Sequence, residues 1–123
     1  MAFALVTGSS GGIGLCIAKE LASRKYDLLM VARSESNLKS IQKEIQDQYR
    51  VIVQYVVCDL SQPNASKKVI EWATRFDVQI VVNNAGFGIW GNLEQNKPED
   101  LHQLIQLNQI ALMEICKGFI PIL

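Results

Sequence analysis

The sequence predicts an α/β fold on a parallel sheet. Short apolar runs alternate with longer amphipathic ones along all 123 residues, and those runs are too continuous for strands with one wet face. A glycine cluster directly after the first run is the third sign, because it marks a turn from strand into helix. Residues 2–7 (AFALVT) form the first strand. Residues 13–25 place Ile13, Ile17, Ala18 and Leu21 at helical spacing, with Lys19, Glu20 and Arg24 opposite. Residues 27–32 (DLLMVA) are apolar again. Over 35–49, Leu38, Ile41, Ile45 and Tyr49 recur among Lys, Gln and Glu, a solvated surface helix opened by Ser34 or Ser36. Residues 51–58 (VIVQYVVC) are β-branched and almost unbroken in apolarity, which predicts a strand covered on both faces. A helix over about 64–76 follows Pro63, then a strand at 78–83 (VQIVVN). The last helix begins near Pro98, with Leu101, Leu104, Ile105 and Leu107 three or four apart. Uninterrupted βα alternation implies right-handed crossovers between parallel strands.

Composition narrows the partners. The length suits one domain that buries roughly two-thirds of its unfolded surface. Twelve basic residues balance twelve acidic ones, so there is no electrostatic footprint for nucleic acid and no polybasic segment for an anionic membrane. No apolar stretch nears the ~20 residues that span a bilayer, and Met1-Ala2-Phe3-Ala4 lacks the basic opening of a secretory signal. Cys16, Cys58 and Cys116 are scattered, without a C-x-x-C or a histidine cluster, and are expected to be buried thiols in a reducing compartment. The expectation is a cytoplasmic chain with no metal, nucleic-acid or membrane partner. His102, the single histidine, is expected on a helix surface, Lys67-Lys68 on a solvated helix face, and Trp72 and Trp90 as core and loop anchors.

Residues 7–14 read Thr-Gly-Ser-Ser-Gly-Gly-Ile-Gly between the first strand and the first helix. A helix N-terminus presents unpaired N–H groups and about half a positive charge, and glycines let a diphosphate approach the backbone. The spacing excludes a Walker A loop, since Ile13 stands where its second glycine is required and no Lys-Ser/Thr follows.

The pattern Thr-Gly-x-x-x-Gly-Ile-Gly resembles the short-chain dehydrogenase/reductase family, and further matches extend the resemblance over essentially the whole chain. It implies a partial Rossmann-like, doubly wound parallel sheet of about four strands in the order 3-2-1-4 with flanking helices. In that frame Gly8, Ser9, Ser10, Gly11, Gly12, Ile13 and Gly14 cradle the cofactor diphosphate. Arg33 and Ser34 close the second strand where an acidic residue would hold the ribose hydroxyls. A guanidinium there pairs with a 2′-phosphate, so NADP(H) is expected in preference to NAD(H). Asp59 and Leu60 match the Asp-aliphatic pair against the adenine. Asn84, Ala85 and Gly86, within Asn83-Asn84-Ala85-Gly86, match the tetrapeptide that ties the sheet together and lines the cofactor ribose. Asn108 matches the catalytic asparagine that bends its helix and holds a water in a proton relay. Phe87 to Trp90 border the substrate pocket in such a protein.

The family's reaction interconverts a carbonyl and an alcohol, and needs a tyrosine whose pKa is lowered by a lysine four residues on. Four residues after Tyr26, Tyr49 and Tyr55 stand Met30, Val53 and Asp59, and none matches. The resemblance therefore implies the amino-terminal, cofactor-binding half of such an enzyme, ending before the catalytic Ser, Tyr and Lys. By itself this stretch is expected to be inactive toward the parent's small carbonyl or alcohol substrate. Its fourth strand would be an edge, which predicts self-association. The alternative is a non-catalytic binding or assembly module.

Overall fold

In the computed structural model, which describes residues 2–123, four parallel strands form one sheet in the order β3-β2-β1-β4. They are β1 (Phe3–Thr7), β2 (Asp27–Ala32), β3 (Val53–Val57) and β4 (Val78–Val82). The helices are α1 (Gly12–Ser23), α2 (Glu35–Tyr49), α3 (Ala65–Ala73), α4 (Pro98–Ile105) and α5 (Leu112–Phe119). The α/β class, the strand order and the flanking helices are those expected.

The two central strands are buried at every position, which is what their unbroken apolar sequences require. Alternate residues of each strand serve different layers. Phe3, Leu5, Leu29 and Val31 pack with Val69 and Ala73 of α3 and Ile115 and Phe119 of α5. Ala4, Val6, Leu28 and Met30 pack on the other side with Ala18 and Ala22 of α1 and Leu38, Ile41 and Ile45 of α2. The chain winds from β1 outward to β3, then returns to place β4 on the other flank of β1. That reversal opens a crevice at the carboxyl ends of β1 and β4, where doubly wound sheets bind ligands.

Four expectations need correction. Of the three cysteines only Cys58 is buried, while Cys116 is half-buried and Cys16 is exposed on the outer side of α1. β3 is not covered on both faces: it is an outer strand, and of its five residues only Val53 is buried. Its apolarity equals that of an interior strand, but burial depends on what pairs beside it. Ile13 is not a core residue, for it is 73% exposed, and the buried stripe of α1 is Gly14, Ala18 and Ala22. Trp90 anchors nothing and is 95% exposed, while Trp72 does pack edge-on against Phe76.

The final helix is also not continuous. Pro98 opens α4, with Glu99 and Asp100 complementing its N-terminal dipole. Residues Gln106–Ala111 then form a π-helical segment before α5. No helix among the described residues is long and apolar enough to cross a membrane.

Candidate cofactor site

A cavity of about 480 Å³ lies at the carboxyl ends of the strands. Gly8 and Ser10 line it from the glycine loop, Arg33 from the end of β2, Asp59 and Leu60 from the end of β3, and Ala85 and Gly86 from the end of β4. Residues far apart in the sequence thus face one space, because every parallel strand delivers its carboxyl end to the same side.

The loop's form follows from close approach. Gly8 has φ +63, and a Cβ there would lie 2.9 Å from Ala85 Cα. A Cβ on Gly14 would strike the Gly8 carbonyl and Asn84 Nδ2. Gly11 and Gly12, by contrast, face open space. Behind them α1 begins with no side-chain cap and no acidic residue in its first turn. Uncapped N–H groups beside open space are what an anion requires, so the residues present fit a diphosphate.

Thr7, which the sequence-derived site set leaves out, welds the two halves of the crevice. Its buried Oγ1 accepts from the backbone N–H groups of Asn84 and Ala85 at 3.1 Å each and donates to the Val82 carbonyl at 3.4 Å. The signal was its place at the head of the glycine motif; its partners lie some 77 residues on. Asn84 Nδ2 donates to the Gly8 carbonyl at 3.0 Å, so this side chain holds the loop and is turned from the cavity. Ser9 is fully buried and its hydroxyl points to the Val31 carbonyl. Ser34 caps α2, accepting from the Asn37 N–H at 3.4 Å.

Arg33 is exposed and Asp59 stands near it across the cavity. Burial, the largest single influence on the Asp59 carboxyl, pushes its pKa up. Hydrogen bonds from the Ser61 hydroxyl at 2.7 Å and the Ser61 N–H at 3.0 Å, with the Arg33 charge, outweigh it and leave the pKa below its ordinary value. Cys58 lines the same cavity; burial raises its thiol pKa, opposed by the charge of Lys68.

Asn108 lies in the π-helical segment, and its side chain clamps the loop after β4. It donates to the Phe87 carbonyl at 2.7 Å and accepts from the Phe87 N–H at 3.0 Å. Gln103 and Leu107, a helical turn apart, also line the cavity. Their four-residue spacing ahead of Asn108 was the available signal.

With this geometry in view, the comparisons are decisive. The family described as short chain dehydrogenase matches residues 2–123. The chain belongs to that family. The very-long-chain 3-oxoacyl-CoA reductase of Kluyveromyces lactis is 32% identical over 98% of this chain and 36% of its own length. Hydroxysteroid dehydrogenase-like protein 1 of Gallus gallus is 32% identical over 86% of this chain and 33% of its own. Among solved structures, a short-chain dehydrogenase from Sphingobium yanoikuyae in complex with NADPH superposes with a TM-score of 0.93 at 31% identity, over 98% of this chain and 48% of that one. The alcohol dehydrogenase of Thermococcus sibiricus complexed with 5-hydroxy-NADP gives 0.86 at 37% identity, over 99% and 53%. This short-chain dehydrogenase chain thus spans about a third of the length of the curated relatives it matches and about half of the solved ones.

Proposed function

We propose that this chain is the dinucleotide-binding part of a reductase that interconverts a carbonyl and an alcohol, and that it takes NADP(H) in preference to NAD(H). The observation that carries this reading is a single cavity that reaches from Gly8 and Ser10 of the glycine loop to Arg33, with no carboxylate at the end of β2. The N–H groups of Gly8 and Ser9 donate to the Val31 carbonyl and fix the loop, which leaves those from Ser10 to Gly14 to hold the diphosphate. Arg33, with Ser34 beside it, meets the 2′-phosphate, Asp59 and Leu60 border the adenine, and Ala85 and Gly86 shape the ribose wall, with Asn84 bracing the loop behind them. The bound cofactor supplies the hydride. Asn108, through its two bonds to Phe87, positions the loop after β4 that would border the nicotinamide. Solved relatives holding NADPH or 5-hydroxy-NADP, and curated relatives named as oxoacyl-CoA reductases, support the reading. No Tyr-x-x-x-Lys occurs in the sequence, so these residues carry binding without turnover.

Fluorescence titration tests it. NADPH is expected to bind in the micromolar range, and Arg33→Ala to weaken it about tenfold while NADH changes little. Equal losses for both cofactors would remove Arg33 from the 2′-phosphate, and no binding of either at millimolar concentration would overturn the reading.

A second reading concerns assembly. Among the described residues β4 pairs only with β1, leaving its other edge open, and Ile105, Ile110, Leu112 and Met113 on the following helical run are exposed. We propose that two copies associate through this side. Sedimentation should show the average mass rising with concentration; a constant monomer mass would refute it.

A further inference from the structure

A second, more open groove of about 380 Å³ runs on from the cofactor cavity, sharing Arg33, Cys58 and Asp59 with it. Its far wall is Pro63, Asn64 and Lys68, at the start of α3. Two cations and one carboxylate therefore face this space. Among the described residues, the ion pairs are Lys19–Glu44, Arg24–Glu20 and Lys39–Glu35, so neither Arg33 nor Lys68 is engaged in one. Asp59 is held ionised by its hydrogen bonds from Ser61, and its charge offsets that of Arg33. Arg33 alone would leave the groove close to neutral, a poor environment for a dianionic phosphate.

From this arrangement we infer that Lys68 is a second specificity residue for the 2′-phosphate, supplying the net positive charge that Arg33 and Asp59 together do not. The inference rests on the NADP(H) reading and deepens it. Lys67, its neighbour in sequence, bears the same charge on the same helix but does not line the groove. The pair therefore separates local recognition from a general change in charge. A groove contact with phosphate also loses strength with added salt, because Lys68 is exposed and screened.

NADPH and NADH are titrated by fluorescence against the unaltered chain, Lys68→Gln, Lys68→Arg and Lys67→Gln, with thermal melting to confirm folding. Lys68→Gln should weaken NADPH about three- to tenfold and leave NADH unchanged, so that the preference ratio falls by the same factor. Lys68→Arg should keep the preference, and Lys67→Gln should keep it too. A ratio that Lys68→Gln leaves intact, or that Lys67→Gln lowers equally, overturns the role of Lys68 while NADPH preference itself stands. Failure of the unaltered chain to prefer NADPH removes the underlying reading, and this inference with it.

Discussion

The two outer strands are nearly the same sequence, Val-Gln-Tyr-Val-Val in β3 and Val-Gln-Ile-Val-Val in β4, with one burial pattern between them. Their edges are treated differently. Gln42 of α2 donates to the Val53 carbonyl at 2.6 Å, and Gln46 accepts from the Val53 N–H at 3.1 Å. These two side chains satisfy the β3 edge at its first residue, Val53. No helix side chain does so for the backbone of β4 among the described residues; the one side chain that bonds it is Thr7 of β1. An edge is thus made safe by its neighbours and not by its own residues. The edge so bonded belongs to the side that bears Arg33 and Asp59, whereas the open one leads to the exposed loop of Phe87, Trp90 and Leu93.

The largest effect should separate the centre from both edges. Leu29→Ala in β2 removes a fully buried side chain and should cost about 2–5 kcal/mol, while Val56→Ala on half-buried β3 should cost about 1 kcal/mol. Urea unfolding measures both. Similar costs would mean that β3 is covered in solution.

A middle-sized effect would make the edges alike. Gln46→Met keeps the bulk of the side chain but leaves the Val53 N–H without its acceptor, at about 1 kcal/mol. Amide exchange at Val53 should accelerate toward the rates of β4. Unchanged protection there would show that the glutamine is dispensable.

These differences mark where sequence reading stops. β1 and β2 were legible because full burial and full apolarity coincide in them. β3 was not, since Val-Ile-Val-Gln-Tyr-Val-Val-Cys looks like an interior strand until its place in the sheet is known. Ile13 was misread because helical spacing assigns it to the apolar stripe, while the loop before it carries the first turn clear of the sheet. The i, i+3, i+4 repeat continues through the π-helical segment and hides the break, which the resemblance alone anticipated through an asparagine at 108 that bends its helix. In the site, the glycine loop, Arg33 and Asp59 were visible as local patterns. Thr7 needed a partner from the far end of the sheet, and Lys68 needed the groove that it shares with Arg33.

The smallest effect tests the loops that crown the two edges. The loop after β3 carries Asp59, which ionises, and the loop after β4 carries Asn83 and Asn84, which do not. Because the folded Asp59 carboxyl has a pKa below its ordinary 3.8, the folded state binds its proton less readily than the unfolded chain. Its contribution is therefore complete above about pH 5 and is lost as pH falls through the folded value. Asp59→Asn keeps an acceptor for Ser61 and removes only the charge. The variant should be less stable at neutral pH, by at most about 1 kcal/mol given solvent screening, and the gap should close as pH falls below about 5 through the folded value. Thermal melts across that range decide it. Parallel curves would mean that the Ser61 hydrogen bonds, and not the ionised carboxylate, set the geometry of the β3 loop, and the charge balance with Arg33 would lose its basis.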